Sequence, residues 1–275
     1  MTSFENLKIV TRYELLKQVR RKRFYGALVI TVLAVVLMIG LYHGLDLPEK
    51  IGISEGVMSQ YETEIFAMFV TSMGSLAVLA AVFFAGDSIA SEFEHKTGYI
   101  LFNNPVKRST IVIGKYLACL IATSVILIIG FIISGISIMG FYGEIPFGIL
   151  GSLGMGAMLA CSVIGISFAF SSYLNGGMGA TIATILFFMV ISPIISSSLA
   201  YAGYSPWFML DRAADAMVST YGVPLDVMAG GFGGGPMGGM TEASSDTSLS
   251  FLALTAYAII SFVISLILTE RREVT

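Results

Sequence analysis

The sequence predicts an all-α integral membrane protein with six transmembrane helices and both termini on the cytoplasmic side. Three observations carry this. Hydrophobic residues make up 56% of the 275 residues and charged residues only 12%, with a mean hydropathy of +0.85, which is more apolar than one water-soluble domain of this length would be. The apolar residues gather into six stretches of roughly 20, the number a helix needs to cross a hydrocarbon core about 30 Å thick. The positive charges fall almost wholly on one side of those stretches.

The first 23 residues are charged and compatible with a helix, so residues 1–23 read as a cytoplasmic amphipathic helix ahead of the membrane domain, residues 24–275. Leu15, Leu16 and Val19 cluster within about a 100° arc near its basic end, although no clean apolar stripe runs its whole length. One reading lays this helix on the cytoplasmic leaflet with Arg20, Arg21, Lys22 and Arg23 at headgroup level; the other treats it as a plain positive-inside anchor. A cleaved secretory signal is excluded, because the charged segment is too long, the apolar run exceeds a signal core and five more spans follow.

The spans are Phe24 to Tyr42, Ile65 to Gly86, Ile111 to Met139, Phe147 to Phe170, Gly179 to Ala200 and Leu249 to Leu268. The third and fourth are long enough to tilt or to run past the membrane face. Of the 15 Lys and Arg residues, only Lys50 and Arg212 lie on the side opposite the termini, where acidic residues predominate. The net charge of −3 and the pI of about 5.4 therefore average two unlike faces. Cys119 and Cys161 fall inside spans, where each reads as a small packing residue.

Outside the membrane, residues 201–248 form a loop far longer than an ordinary helix connection. Its start, Ser205-Pro206 followed by Trp207, Leu210, Ala214 and Met217 at helical spacing, predicts a helix lying at the outer interface with Trp207 as a belt residue. The Gly- and Met-rich piece at 228–240 is either a flexible linker or a soft-metal site using Met228, Met237 and Met240, since thioethers favour Cu(I). No other metal-ligating pattern stands out.

A search for chemistry finds chiefly absences. Ionisable side chains inside a bilayer cost roughly 2.5–3.5 kcal/mol each and mark ion or proton paths. The spans hold essentially none: His43 and Lys115 sit at span ends and can reach the interface by snorkelling. No nucleophile and base pair for hydrolysis is evident, and no G-x-x-x-x-G-K-[ST] phosphate loop occurs; the sole Gly-Lys pair, Gly114-Lys115, is followed by Tyr116. Uphill transport would need energy from a partner.

The exception to this apolar pattern is the polar segment at 87–115, between the second and third spans. It reads as a helix continuing below the membrane through Glu94, a stop at Gly98, an apolar patch at Tyr99, Ile100, Leu101 and Phe102, and a second break at Pro105. An apolar knob rimmed by acids and bases suits docking, with the knob filling a pocket and the charges setting register. Pro193 should kink the fifth span, with Ser192 and Ser196 to Ser198 re-satisfying freed backbone groups.

Glu92 and Glu94, then Thr97-Gly98, then "YILFNNPVKR", then Ile111 and Lys115, resemble the signature of the ABC-2 type transporter permeases, approximately E-x-E-x-x-T-G-x-x-x-x-x-x-P-[VI]-x-R-x-x-[IV]-x-x-x-K. "YELLKQVRRKRF" before the first span, the six-span layout and "FSSYLNGGMG" extend the resemblance over most of the chain; the long Gly/Met-rich loop departs from it. The resemblance implies an ABC-2 (type V exporter-like) permease architecture, with residues 1–23 as a connecting helix and 87–115 as the loop carrying a coupling helix. It implies an ATP-driven exporter whose ATP and Mg sit on a separate ABC ATP-binding subunit, this chain having no cofactor and no enzymatic activity of its own. It also implies assembly with a second permease copy or a paralogous permease, in the lipids of the plasma membrane, without nucleic acid. The coupling interface carried over comprises Glu92, Glu94, Thr97, Gly98, Tyr99, Leu101, Phe102, Pro105, Arg108 and Lys115. A scaffold or receptor that anchors a cytoplasmic partner through the same loop, without transport, is the alternative.

Overall fold

In a computed structural model of the chain, residues 3–45, 50, 55–72, 74–94, 107–174, 176–204, 207–223 and 247–271 are described, and their regular structure is helical throughout. Six helical stretches are long and apolar enough to cross a membrane: Lys22–Gly44, Met58–Glu94, Arg108–Tyr142, Gly148–Tyr173, Gly177–Tyr201 and Thr247–Arg271. Each contains or closely overlaps one predicted span. This is a multi-pass membrane protein.

Helix α1 (Ser3–Arg20) ends at Arg21, whose extended backbone (φ −75°, ψ 139°) turns the chain into α2 (Lys22–Gly44), the first span. The second span is built in pieces, α3 (Glu55–Thr71), α4 (Gly74–Ala85) and the short α5 (Ala90–Glu94), with a kink at Tyr61. The third, α6 (Arg108–Tyr142), is a 35-residue helix of about 52 Å. It overshoots a hydrocarbon core of about 30 Å, and Gly143 stops it in the left-handed conformation (φ 75°) that glycine adopts without a Cβ clash. The fourth span is α7 (Gly148–Tyr173), and the sixth is α11 (Thr247–Arg271).

The fifth span joins α8 (Gly177–Leu186) through a π turn at Phe187–Ile191 to α9 (Ser192–Tyr201). The Ser192 N–H donates to the Phe187 carbonyl, five residues back. A proline ring clashes with the carbonyl four residues before it, and the wider turn directly before Pro193 is how this helix accommodates it. Two of the serines around Pro193 bond elsewhere: Ser198 donates to its own helix at Ile194, and Ser192 donates to the Asp211 carboxylate, 3.1 Å away.

Asp211 belongs to α10 (Leu210–Ser219), and here the sequence expectation is corrected. The helix begins at Leu210 rather than at Ser205-Pro206, which lie outside the described residues. It does not lie on the surface: Leu210, Ala216 and Met217 are buried in the main core against α7 and α11. Just beyond it, Tyr221 packs in a second core with Val35, Phe66 and Ile138 and hydrogen-bonds Thr71. The spacing of Leu210 and Met217 marked an apolar face correctly, but that face meets protein rather than lipid. Asp211 thereby reaches Ser192, well inside the fifth span, so the expected lack of ionisable groups within the spans fails at this point.

The α7–α11 seam is the most extensive in the bundle. Ser162 donates to the Leu254 carbonyl (2.7 Å), while Ser172 bonds Ser265 (3.2 Å) and Thr269 (2.9 Å). Small and hydroxylated residues let membrane helices approach and bond directly, as their number in the spans predicts. By contrast α2 and α11 expose apolar faces, including Val29, Leu33 and Val36 on one and Ile260, Val263 and Ile267 on the other. Lipid covers such faces in a bilayer.

Candidate coupling site

The second span does not continue helically through Glu94 as expected. It stops at Ala85, turns through Gly86–Ile89 and restarts as α5. A helix end leaves backbone groups without partners, and three other helices supply them. The Phe84 carbonyl accepts from Gln18 Nε2 of α1 (3.1 Å) and from the Cys119 thiol of α6 (3.2 Å). The N–H groups of Ile89 and Ala90 both donate to Ser171 Oγ of α7 (3.1 and 2.9 Å). Cys119 thus does more than fill space.

Residues two apart on a helix point about 200° apart, so Glu92 and Glu94 of α5 face opposite ways. Glu92 is buried, and its Oε1 accepts from Lys115 Nζ of α6 (3.0 Å) and Lys17 Nζ of α1 (2.9 Å). Lys115 also donates to Glu14 Oε1 of α1 (2.8 Å). Two ammonium groups and two carboxylates therefore balance within one knot, buried except for the half-exposed Lys17, the condition under which charges are tolerated away from water. Lys115, expected to snorkel outward, is only 4% exposed, because its partners reach it inside the bundle. On the other side of α5, Glu94 Oε2 accepts from the Gly177 N–H at the start of α8 (2.7 Å), placing a negative charge at the positive end of that helix. The two acids fasten α5 to both flanks.

Helix α1 can supply Glu14 because it packs along α6 rather than standing free. Gly114 allows the approach: a Cβ there would come within 2.6 Å of Val10 Cγ1. Leu15 and Val19 pack on the core as their clustering suggests, but Leu16 is exposed, and Glu14 and Gln18 occupy the buried face. The weak apolar stripe in the sequence has this cause. At the α1–α2 bend, Arg23 and Arg21 approach Asp87 Oδ2 (2.6 and 3.6 Å).

Of the sequence-predicted site residues, the structure brings Glu92 and Lys115 together, sets Glu94 on the neighbouring turn, and places the half-buried Arg108 at the first turn of α6. Thr97, Gly98, Tyr99, Leu101, Phe102 and Pro105 lie outside the described residues. Sequence reasoning missed Glu14, Lys17, Gln18, Asp87 and Ser171. The one signal available was the i, i+4 pair Glu14 and Gln18, two polar residues on one face of a helix beside a membrane.

No group of three or more metal-ligating side chains occurs among the described residues. The site consists of ion pairs and caps that tie the ends of several spans to one short polar segment. Six spans, with a polar segment braced in this way between the second and third, define a polytopic membrane protein.

Compared with known protein families, the chain matches the one described as ABC-2 family transporter protein over residues 9–274. It belongs to that family and is a transmembrane permease component of an ABC transporter. Such components are distinct from the ATPase and work with an ABC ATP-binding subunit. A comparison with curated proteins found no match.

Proposed function

We propose that the chain is the permease subunit of an exporter powered by a separate ATPase, with the α1 end of the bundle facing the cytoplasm and residues 87–115 receiving the ATPase. The observation that carries this reading is the Glu14, Lys17, Glu92 and Lys115 knot, together with the Glu94 cap, at the base of the loop. Displacement of the loop would pull on α5, and α5 is bonded to α1, α6 and the α7–α8 turn, so closure of a docked ATPase would reach several spans at once. In this reading Glu92 and Lys115 transmit force from inside the bundle, while Tyr99, Leu101 and Phe102 make the contact. The excess of Lys and Arg at the α1 end supports the orientation.

The test is co-expression of the chain with ABC ATP-binding subunits from the same genome, followed by purification and ATPase assay in reconstituted vesicles. Expected is one ATPase that copurifies, hydrolyses ATP faster with the chain than alone, and loses that stimulation with Phe102→Ala. A chain that binds a cytoplasmic partner without altering ATP hydrolysis would instead be a scaffold. Efflux or uptake of labelled phospholipid and peptide probes from the same vesicles sets the direction of transport.

A further inference from the structure

A cavity of about 640 Å³ opens where α1 bends into α2 and faces α5, walled by Lys17, Arg21, Lys22, Arg23, Asp87 and Glu92. Four cations thus face two carboxylates, and both carboxylates already have cationic partners. Lys22 is exposed and has no ion-pair partner among the described residues. With Lys115 and Glu14 behind the wall included, the positive excess persists.

Two further features act in the same direction. The 23-residue α2 starts at this cavity with no side-chain cap and no acid in its first turn; a helix N-terminus carries partial positive charge and is stabilised by an anion. Asp87, paired with Arg21 and Arg23, offsets part of that charge, and Lys22 adds to it. Further along α2, Tyr25 is exposed one turn into the span, followed at helical spacing by the exposed Val29, Leu33 and Val36. A cation-rich cavity and an exposed apolar stripe thus follow one another along α2.

We propose that this cavity binds the phosphate of an anionic glycerophospholipid, with Lys22 and Arg23 on the headgroup and the acyl chains lying along the exposed face of α2. A phosphodiester suits the excess of guanidinium and ammonium donors. The volume falls in the range of small-ligand sites, and the adjoining apolar stripe selects a lipid over free phosphate. The inference needs no ATPase partner, so it stands or falls apart from the transport reading.

The experiment titrates short-chain phosphatidylglycerol into the purified full-length chain in neutral detergent, with bound lipid counted by mass measurement of the intact complex. Short-chain phosphatidylcholine and inorganic phosphate serve as comparisons. Saturable phosphatidylglycerol binding is expected, weakened about tenfold or more in Lys22→Gln/Arg23→Gln, as the loss of a charge-assisted contact implies. Lys8→Gln/Arg12→Gln removes the same charge from exposed positions on α1 outside the cavity and should change affinity by less than about twofold. If the double variant does not fold, Lys22→Gln alone, at an exposed position, should weaken binding in the same sense. Equal weakening by the two double variants, absence of saturable binding, or competition by inorganic phosphate at equal concentration would overturn the proposal. So would loss of ATPase association in Lys22→Gln/Arg23→Gln with lipid binding intact.

Discussion

The ammonium of Lys115 lies 2.8 Å from the carboxylate of Glu14, 101 residues earlier in the chain, and both side chains are buried. Glu92 closes the triangle at 3.0 Å. One lysine thus fixes the N-terminal helix and the last piece of the second span to the start of the third, and several tests follow from that geometry.

Removal of the cation should be costly. Lys115→Ala leaves the buried Glu14 and Glu92 with only the half-exposed Lys17 between them, and breaking a buried pair from one side costs up to about 3–5 kcal/mol. A clear drop in the thermal unfolding temperature of the purified protein is expected. The neutral triple variant Lys115→Met/Glu14→Gln/Glu92→Gln should recover most of the loss, because neutral replacements avoid the desolvation that the ion pairs must offset. An unchanged unfolding temperature for Lys115→Ala would show that the knot is not closed in solution.

Charge reversal at Glu92 should separate stability from coupling. Glu92→Arg sets a third cation against Lys17 and Lys115, so α5 should detach from α1 and α6 while the six spans still insert. ATPase stimulation by the permease is expected to fall at least tenfold, with membrane yield reduced far less. Stimulation at the level of the unaltered protein would refute force transmission through this residue.

Glu94 should have a milder and more local effect. Its carboxylate accepts only the Gly177 N–H at the start of α8 among the bonds described, and loss of such a cap typically costs about 0.5–2 kcal/mol. Hydrogen exchange over Gly177–Ala180 should accelerate in Glu94→Ala, with exchange in the core of α6 unchanged.

Bulk at Gly114 should displace the first helix. A Cβ there already collides with Val10, so Gly114→Val is expected to lift α1 and open the Glu14–Lys115 contact. Trypsin cleavage between Arg20 and Arg23 should speed up several-fold, since cleavage of a locally opened segment tracks the population of the open form. Cleavage at the original rate would mean that α1 tolerates the extra volume in place.

Orientation is checked by single cysteines in a Cys119→Ser/Cys161→Ser background. A cysteine at exposed Lys8 should react with an impermeant thiol reagent only from the cytoplasmic side, and one at exposed Glu144 only from the other. The reverse pattern would place the loop at 87–115 outside the cell and remove any route to a cytoplasmic ATPase.

The six spans were legible because membrane insertion is a local property: each needs its own run of apolar residues, whatever its neighbours do. Their observed bounds differ most in the second span, which runs Met58–Glu94 in place of the expected Ile65 to Gly86. The polar segment stood out for the same reason, as an interruption of that local pattern.

The partners were not legible in the same way. Glu14 and Gln18 weaken the apolar stripe of α1, and only the packing of α1 on α6 shows why they are there. Ser171 stands in the "FSSYLNGGMG" turn with nothing in the sequence to mark its partner, and only the break at Gly86–Ile89 presents it with two N–H groups. Helix α10 read as a surface element because amphipathicity reports that one face is apolar and not what covers it.

By itself, then, the sequence determined the number and position of the spans, the asymmetry of charge and the existence of a polar segment between the second and third, since these depend on transfer of local stretches from water to lipid. The tertiary structure decided which carboxylate meets which ammonium, where the second span breaks and where α10 inserts. A buried charge or an unpaired backbone group is satisfied by whatever the fold brings within about 3 Å, and that neighbour can lie a hundred residues away, as Glu14 does from Lys115.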